Sequence, residues 1–315
     1  MRGFILAAGF GTRLRPITNH IPKALVPVCG KVLLEHALEK LTKLGIETIG
    51  VNSHYLTEQI EAYKGKTSCP FEIFREDDRI RGTGGALYFA RNFLGREDSF
   101  FVMNVDILSD LLLNNIIDSF LKSSSVCTLV AFDAQRGKGT ILYDKDSGQY
   151  VDVANRDNRR ENLAEADFVG MALYRKEFLN FLTPSDFSVV PVWKRAVESG
   201  AEVTVSLLEK GYWKDVGTLK SLADIHFDVI DGLIKICESE GMVIDKEKKI
   251  CIPENANSNV INSCGIYSWV EQQLLPSGCH IKESVVFKNS LIQENRQIIR
   301  SLVTPWGVIP FDDKK

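Results

Sequence analysis

The chain has 315 residues, 44% apolar and 25% charged, with 38 basic against 41 acidic side chains and a formal charge of −3. That length suits about two domains, and the balance excludes wholesale disorder, collagen and a coiled-coil rod. No excess of cation is available for non-specific nucleic-acid binding, and no uncharged apolar run reaches the roughly 18 residues of a membrane span, so neither nucleic acid nor membrane is expected as a partner.

At the start, the apolar run from Met1 to Ala8 is broken by Gly9, Arg13 and Arg15, too early for a secretory h-region. The seven cysteines are scattered and form no CxxC pair. They read as free thiols of a reducing compartment, so a cytoplasmic setting is expected. Phe4 to Ala8 reads as a short buried strand ending at glycine. From Val32 to Leu44, Leu33, Leu34, Ala37, Leu38, Leu41 and Leu44 recur at helical spacing, and Gly45 is placed as the C-cap. Next come a strand over Ile46 to Val51, a helix over Leu56 to Tyr63 and a strand over Phe71 to Phe74. A helix over Gly84 to Leu94 and a strand over Phe100 to Val105 follow. Thr128 to Phe132, Gly139 to Tyr143 and Phe168 to Tyr174 are further strands, flanking a polar surface loop from Asn155 to Asn162. Residues 219 to 240 read as one helix, with Leu222, Ile225, Phe227, Val229, Ile230, Leu233 and Ile234 as its apolar positions. This alternation argues for βαβ units. In such sheets the ligand crevice lies beyond the carboxyl ends of the strands, where Gly9, Asn52 and Asp106 fall.

The tail divides into sixes from Cys279 onward: CHIKES, VVFKNS, LIQENR, QIIRSL, VTPWGV, then Ile309. Lead positions are Cys279, Val285, Leu291, Gln297, Val303 and Ile309. A hexad period is the pattern of a left-handed parallel β-helix, although the glycine usual at the second position is missing.

Chemistry concentrates in Leu6-Ala7-Ala8-Gly9-Phe10-Gly11-Thr12-Arg13-Leu14-Arg15-Pro16 and in Pro22-Lys23-Ala24-Leu25-Val26-Pro27-Val28. Small residues at a strand end let a ligand lie on the backbone. Glycines at 9 and 11 permit positive φ, which aims amides at phosphate oxygens. Arg13, Arg15 and Lys23 add cations to the same loop. A dinucleotide fold wants a third glycine where this chain has Leu14, and there is no GxxxxGK[ST] P-loop.

These runs closely resemble the opening motif of the sugar-1-phosphate nucleotidyltransferases, or nucleoside-diphosphate-sugar pyrophosphorylases. The resemblance continues through Gly82-Thr83-Gly84-Gly85-Ala86, Asn104-Val105-Asp106 and Trp213-Lys214-Asp215-Val216-Gly217-Thr218, and covers roughly residues 1 to 220. It is about equally near to mannose- and heptose-phosphate guanylyltransferases and muramate-phosphate uridylyltransferases. The resemblance implies an α/β fold: a Rossmann-like, mostly parallel mixed sheet with flanking helices, plus a small C-terminal left-handed β-helix-like domain. Residues 1–240 would then be the catalytic domain and 241–315 the hexapeptide-type tail, through which the chain would self-associate.

The implied substrates are an NTP and a sugar 1-phosphate, joined with release of pyrophosphate; guanylyl or uridylyl transfer to a hexose or heptose 1-phosphate fits best. Both substrates are polyanions, so catalysis is mainly positioning and charge neutralisation. The resemblance makes Asp106 and Asp215 the carboxylates that hold Mg²⁺, an ion suited to few carboxylates plus phosphates and water. Read plainly, Asp106 is a helix N-cap and Asp215 an Asx-turn residue. Arg13 and Lys23 match the residues that contact the triphosphate, while Arg15 has a structural reading as well. Ala7, Ala8, Gly9, Gly11, Thr12, Gly82 and Thr83 would border the nucleotide. Glu76 stands where relatives place a base-contacting side chain, although Glu76-Asp77-Asp78 also reads as a solvated acidic turn. Gly139 and Gly170 match regions that face the sugar. An acidic-lysine pair expected before that strand is not identifiable in Asn155 to Glu161. His54 reads as a local hydrogen-bonding residue. The competing readings are a catalytically silent nucleotide-sugar-binding or assembly subunit of the same fold, and a Rossmann oxidoreductase, which the missing third glycine opposes.

Overall fold

The computed structural model describes residues 1–134, 139–154, 161–235 and 241–311. The stretch 155–160 of the expected polar loop therefore lies outside the described residues. The chain divides into two compact units that do not follow a single cut at 240. One comprises Met1–Phe10, Ala37–Ile107 and Leu111–Trp213, the other Gly11–His36, Leu108–Asp110 and Lys214–Lys315.

The first unit is built on a nine-stranded sheet. Its strands are β1 (Arg2–Leu6), β2 (Ile49–Ser53), β3 (Glu72–Arg75), β4 (Ser99–Asn104), β5 (Cys127–Asp133), β6 (Ile141–Asp144), β7 (Tyr150–Val153), β8 (Leu163–Arg175) and β9 (Val203–Leu208). The order is β7-β6-β8-β4-β1-β2-β3, with β5 joining β8 to β9. Strand β1 runs parallel to β2 and β4, and β2 parallel to β3. Near-continuous apolar residues suit β1 and β4 to burial on both faces, whereas β3, at the sheet edge, exposes Glu72 and Arg75. The 13-residue β8 runs antiparallel to β4, β5 and β6. Its register shifts between Phe168 and Ala172, on either side of Gly170. Helices α1 (Leu33–Lys43), α2 (Thr57–Lys64), α3 (Gly82–Phe89), α4 (Asn114–Lys122) and α5 (Val190–Glu198) connect the strands. The expected apolar stripe of α1 is buried from Leu33 to Leu41, Leu44 lies half-buried just past the helix, and Gly45 at φ 76° follows as its expected C-cap. Phe4, Phe100, Tyr150, Tyr174, Phe178 and Trp193 fill the core, where the Trp193 indole donates to the Tyr174 hydroxyl at 3.0 Å.

In the second unit, α6 (Leu219–Ile230) begins at Thr218, which forms a capping box with Ser221. The expected helix over 219–240 stops at Ile230. Gly232, at φ 73°, turns the chain just beyond it, and 236–240 lie outside the described residues. The tail then forms β10 (Met242–Asp245), β11 (Ile250–Pro253), β12 (Ser268–Val270), β13 (His280–Lys282), β14 (Ser284–Val286), β15 (Gln297–Ile299), β16 (Ser301–Thr304) and β17 (Gly307–Pro310).

Strands β11, β12, β14 and β16 stack in parallel, as do β13 and β15. Lys249, Tyr267, Glu283 and Arg300, all at positive φ, stand immediately before β11, β12, β14 and β16 and turn each corner. Ser268, Ser284 and Ser301 follow three of these corners and bond corner carbonyls such as Ile281 O (2.9 Å) and Ile299 O (2.8 Å). The repeat is thus set by corners 16 to 18 residues apart, and a strict hexad does not hold. Leu291 is 82% exposed and Gln297 is exposed too. The inward positions are Val270, Ile281, Val286, Ile298 and Val303. Among the described residues no helix is long and apolar enough to cross a membrane.

Candidate active site

In the first unit the residues converge beyond the carboxyl ends of β1, β2, β3 and β4. Ala7 and Ala8 are buried, while Gly9 is exposed and no heavy atom lies within 4 Å of where its Cβ would sit. Gly9 does not adopt positive φ, contrary to expectation; its absent side chain leaves open space above the backbone instead.

A hydrogen-bond chain fixes this edge. The Ala7 amide donates to Asn52 Oδ1 at 2.7 Å, and Asn52 Nδ2 donates to Glu76 Oε1 at 2.8 Å. Glu76 Oε2 accepts from the Arg81 amide at 2.7 Å. Glu76 is 0% exposed, and burial pushes its carboxyl above the usual carboxylate range against the opposing pull of Asn52 and Arg81. With both oxygens hydrogen-bonded and no exposed edge, Glu76 supports Ala7 through Asn52 and is not part of a solvated acidic turn. Only Asp77 and Asp78 form the solvated turn. Residue Asn52 was placed by sequence at a strand end, but its linking role was not foreseen. His54 Nδ1 donates to the Glu76 carbonyl at 2.6 Å, the local role expected of it.

The glycines of Gly82-Thr83-Gly84-Gly85 serve packing. A Cβ at 82, 84 or 85 would lie 2.3 Å from Phe187 O, 2.8 Å from Ser188 O or 2.9 Å from Asp186 O, respectively. Thr83 Oγ1 accepts from the Val189 amide at 2.9 Å. Nearby is a largely apolar cavity of about 260 Å³ whose lining includes Thr83, Asn104, Thr140, Phe168, Gly170 and Trp193. Gly170, at φ 74°, makes room for Asn104, whose amide nitrogen would lie 2.9 Å from a Cβ there. Gly139 accommodates Glu165 in the same manner, at 2.3 Å from its Cβ. Asp106 stands half-buried in the turn between β4 and the short strand Ile107–Ser109.

The second unit holds the other predicted residues. Gly11 takes φ 61° ahead of the 3₁₀ turn Thr12–Leu14, and its carbonyl accepts from Thr18 Oγ1 at 2.8 Å. Thr12 and Arg13 are exposed on that turn, and Lys23 packs against Gly11, where a Cβ would come within 3.0 Å of Lys23 Cβ. Arg13 Nη2 lies 3.9 Å from Asp215 Oδ2, with side chains 63% and 42% exposed. A pair so long and so open contributes about 0–1 kcal/mol to stability, so stability does not account for it. Gly217 makes the arrangement fit: a Cβ there would sit 2.6 Å from Arg13 Nη2 and 2.7 Å from Asp215 Oδ1. A half-buried carboxylate, with Oδ1 lying against Gly217 inside and the side chain 42% exposed, suits a hard cation with water and phosphate ligands. Among the described residues no three His, Cys, Asp or Glu side chains converge to hold a metal.

Residues 2–232 match the nucleotidyl transferase family. An N-acetylmuramate α-1-phosphate uridylyltransferase of Caulobacter vibrioides is 32% identical over 68% of this chain and 90% of its own length. A mannose-1-phosphate guanyltransferase of Debaryomyces hansenii is 26% identical over 98% of this chain and 86% of its own. In fold, the chain is similar to HddC from Yersinia pseudotuberculosis, solved in complex with GMP-PN. That similarity has a TM-score of 0.58 at 21% identity, covering 71% of this chain and 97% of that one. The chain belongs to the sugar-1-phosphate nucleotidyltransferase family, whose members are transferases.

Proposed function

We propose that the chain transfers a guanylyl or uridylyl group from the corresponding NTP to a hexose or heptose 1-phosphate, releasing pyrophosphate. The observation that carries this reading is the approach of Arg13 to Asp215 around Gly217, an exposed cation and a half-buried carboxylate held where stability gains little. An oxygen of the sugar phosphate bonds to the α-phosphorus, the bond from that phosphorus to the α,β-bridging oxygen breaks, and the electron pair leaves with pyrophosphate. A phosphate monoester is already largely ionised near pH 7, so no general base is needed.

Arg13 takes phosphate oxygens as a fork and Lys23 as a point charge, with Gly11 and Thr12 contributing backbone at the same turn. Ala7, Ala8, Gly9 and Thr83 border the nucleoside, and Gly82 shapes that edge through its packing on Phe187. The cavity beside Gly170 receives the sugar, with Asn104 and Thr140 as polar partners, and Gly139 helps to shape that side. Asp106 and Asp215 are the residues we read as holding Mg²⁺, which when bound neutralises phosphate charge and orients the reacting oxygens. The parallel-stacked tail is read as left-handed β-helix-like and as the segment through which copies associate.

The test is a matrix of four NTPs against a panel of sugar 1-phosphates with Mg²⁺, scored by pyrophosphate release. Turnover is expected with GTP or UTP and a hexose or heptose 1-phosphate; silence across the whole matrix overturns the reading. Asp106→Asn and Asp215→Asn are each expected to lower turnover about 10²-fold or more with an unchanged circular dichroism spectrum. Near-wild-type turnover in either variant removes that residue from the metal site.

A further inference from the structure

The two-residue strands Pro27–Val28 and Lys31–Val32 pair antiparallel and are joined by Cys29 at φ 49° and Gly30 at φ 84°. Positive φ at both central residues defines a type I′ hairpin turn. Cysteine is an unusual choice for the first of them, since a β-carbon resists that conformation.

Side chains from elsewhere in the same unit grip the polar groups of this turn. The Cys29 amide donates to His226 Nε2 at 3.0 Å. His226 Nδ1 lies 2.7 Å from the Leu222 carbonyl. A carbonyl only accepts, so Nδ1 carries the proton and Nε2 is the bare acceptor. The ring is fully buried between Trp269 and Phe287, with centroids 4.9 and 5.7 Å away. The Gly30 amide donates to the carboxylate of Glu271, which also accepts from Trp269 Nε1 and the Lys288 amide, each at 3.2 Å. On the other side, His36 Nε2 meets the Val28 carbonyl at 2.9 Å. All three side chains on this hairpin are buried and ionisable, and His226 and Glu271 come from far along the chain. The turn leads directly back to catalytic candidates: the Val26 amide bonds the Lys23 carbonyl at 3.1 Å, and Lys23 packs on Gly11.

We propose that His226 and Glu271 are positioning residues, which lock the Cys29–Gly30 turn and through it fix the segment bearing Lys23 against Gly11. Neither residue is placed on substrate; each acts through the turn. The inference rests on the nucleotidyl-transfer reading of Lys23, and its test separates the two.

The variants are His226→Leu and Glu271→Leu, which lack the acceptor, and His226→Gln and Glu271→Gln, which retain one. Amide hydrogen exchange over residues 22–32 is measured alongside steady-state kinetics and melting temperature. In the leucine variants the Cys29 or Gly30 amide and the Lys23 to Val28 segment are expected to exchange about tenfold faster or more. The kcat/KM for the NTP should fall about tenfold or more while KM for the sugar 1-phosphate stays put. The glutamine variants should recover most of both. A merely structural role would lower the melting temperature and leave the specific activity of the folded protein unchanged. That result, or wild-type exchange in the leucine variants, overturns the proposal. Should a leucine variant fail to fold, His226→Asn and Glu271→Asp, which draw the acceptor back from the turn, take its place: exchange and kcat/KM must shift together, and a shift in exchange without one in kcat/KM, or no shift in either, overturns the proposal. If the wild-type chain turns over no substrate pair, the functional reading fails on its own. Exchange needs no substrate and still decides whether residues 226 and 271 hold the Lys23 segment.

Discussion

His226 shows how much one proton matters inside this protein. Burial depresses its pKa to about 4, because a buried imidazolium would lose its hydration and would turn an N–H toward the Cys29 N–H. The sign follows from which state binds the proton. Between about 6.5 and 4 the unfolded chain takes it up and the folded chain does not, so stability is lost as pH falls through that window and is fully present above it. Full protonation of the unfolded side alone costs about 3 kcal/mol. The advantage of wild type over His226→Gln in unfolding free energy, read from urea titrations, should therefore shrink by that order between pH 7 and pH 4. An advantage that does not change with pH would refute the neutral-acceptor assignment. Glu76 and Glu271, both raised by burial, titrate in both proteins and cancel from the difference. The same scale explains why the solvated-turn reading of Glu76 does not hold. A carboxylate next to two aspartates in sequence looks solvated, and only the tertiary structure shows that Asn52 and the Arg81 amide have drawn it inside.

Among the elements, α3 illustrates glycine used for proximity rather than ligand contact. Three glycines let the helix lie against the backbone of residues 186–188, where the Gly84 amide also donates to Phe187 O at 3.0 Å. Gly82→Ala adds a methyl group 2.3 Å from a carbonyl oxygen at φ 68°. Since backbone on both sides must move, a loss of about 2 to 4 kcal/mol is expected, read from chemical denaturation. A loss below about 0.5 kcal/mol would mean that the contact relaxes freely. In the tail, branched apolar residues announce stacked strands, but the period does not follow from a six-residue window. It is set by left-handed corners at Tyr267, Glu283 and Arg300, positions whose residue types give no hint of that conformation. The strands Tyr150–Val153 and Val203–Leu208 were not expected; the first is only four residues long, whereas the second carries a legible Val203-Thr204-Val205-Ser206-Leu207 alternation.

At the scale of the whole molecule, the head of the chain is divided: residues up to Phe10 belong with the sheet, while Gly11–His36 belong with the tail. Trp269, Glu271 and Phe287 surround His226 and its hairpin, so the tail is part of the support of the Lys23 segment. Ending the chain after residue 250 is therefore expected to abolish pyrophosphate release and to leave residues 11–36 open to limited proteolysis. A truncated chain with intact turnover would contradict this.

The motif around residues 6–28 and the βαβ alternation pointed by themselves to the family and to the parallel strands of the sheet, because short-range patterns of glycine, charge and hydrophobicity suffice to specify local backbone and a buried face. The pairing of Arg13 with Asp215 around Gly217, the burial of Glu76 and the clamp on Cys29–Gly30 were decided only by the tertiary structure. Each depends on groups tens to hundreds of residues apart, and whether a charge faces water or a hydrogen-bond partner is settled by what packs over it.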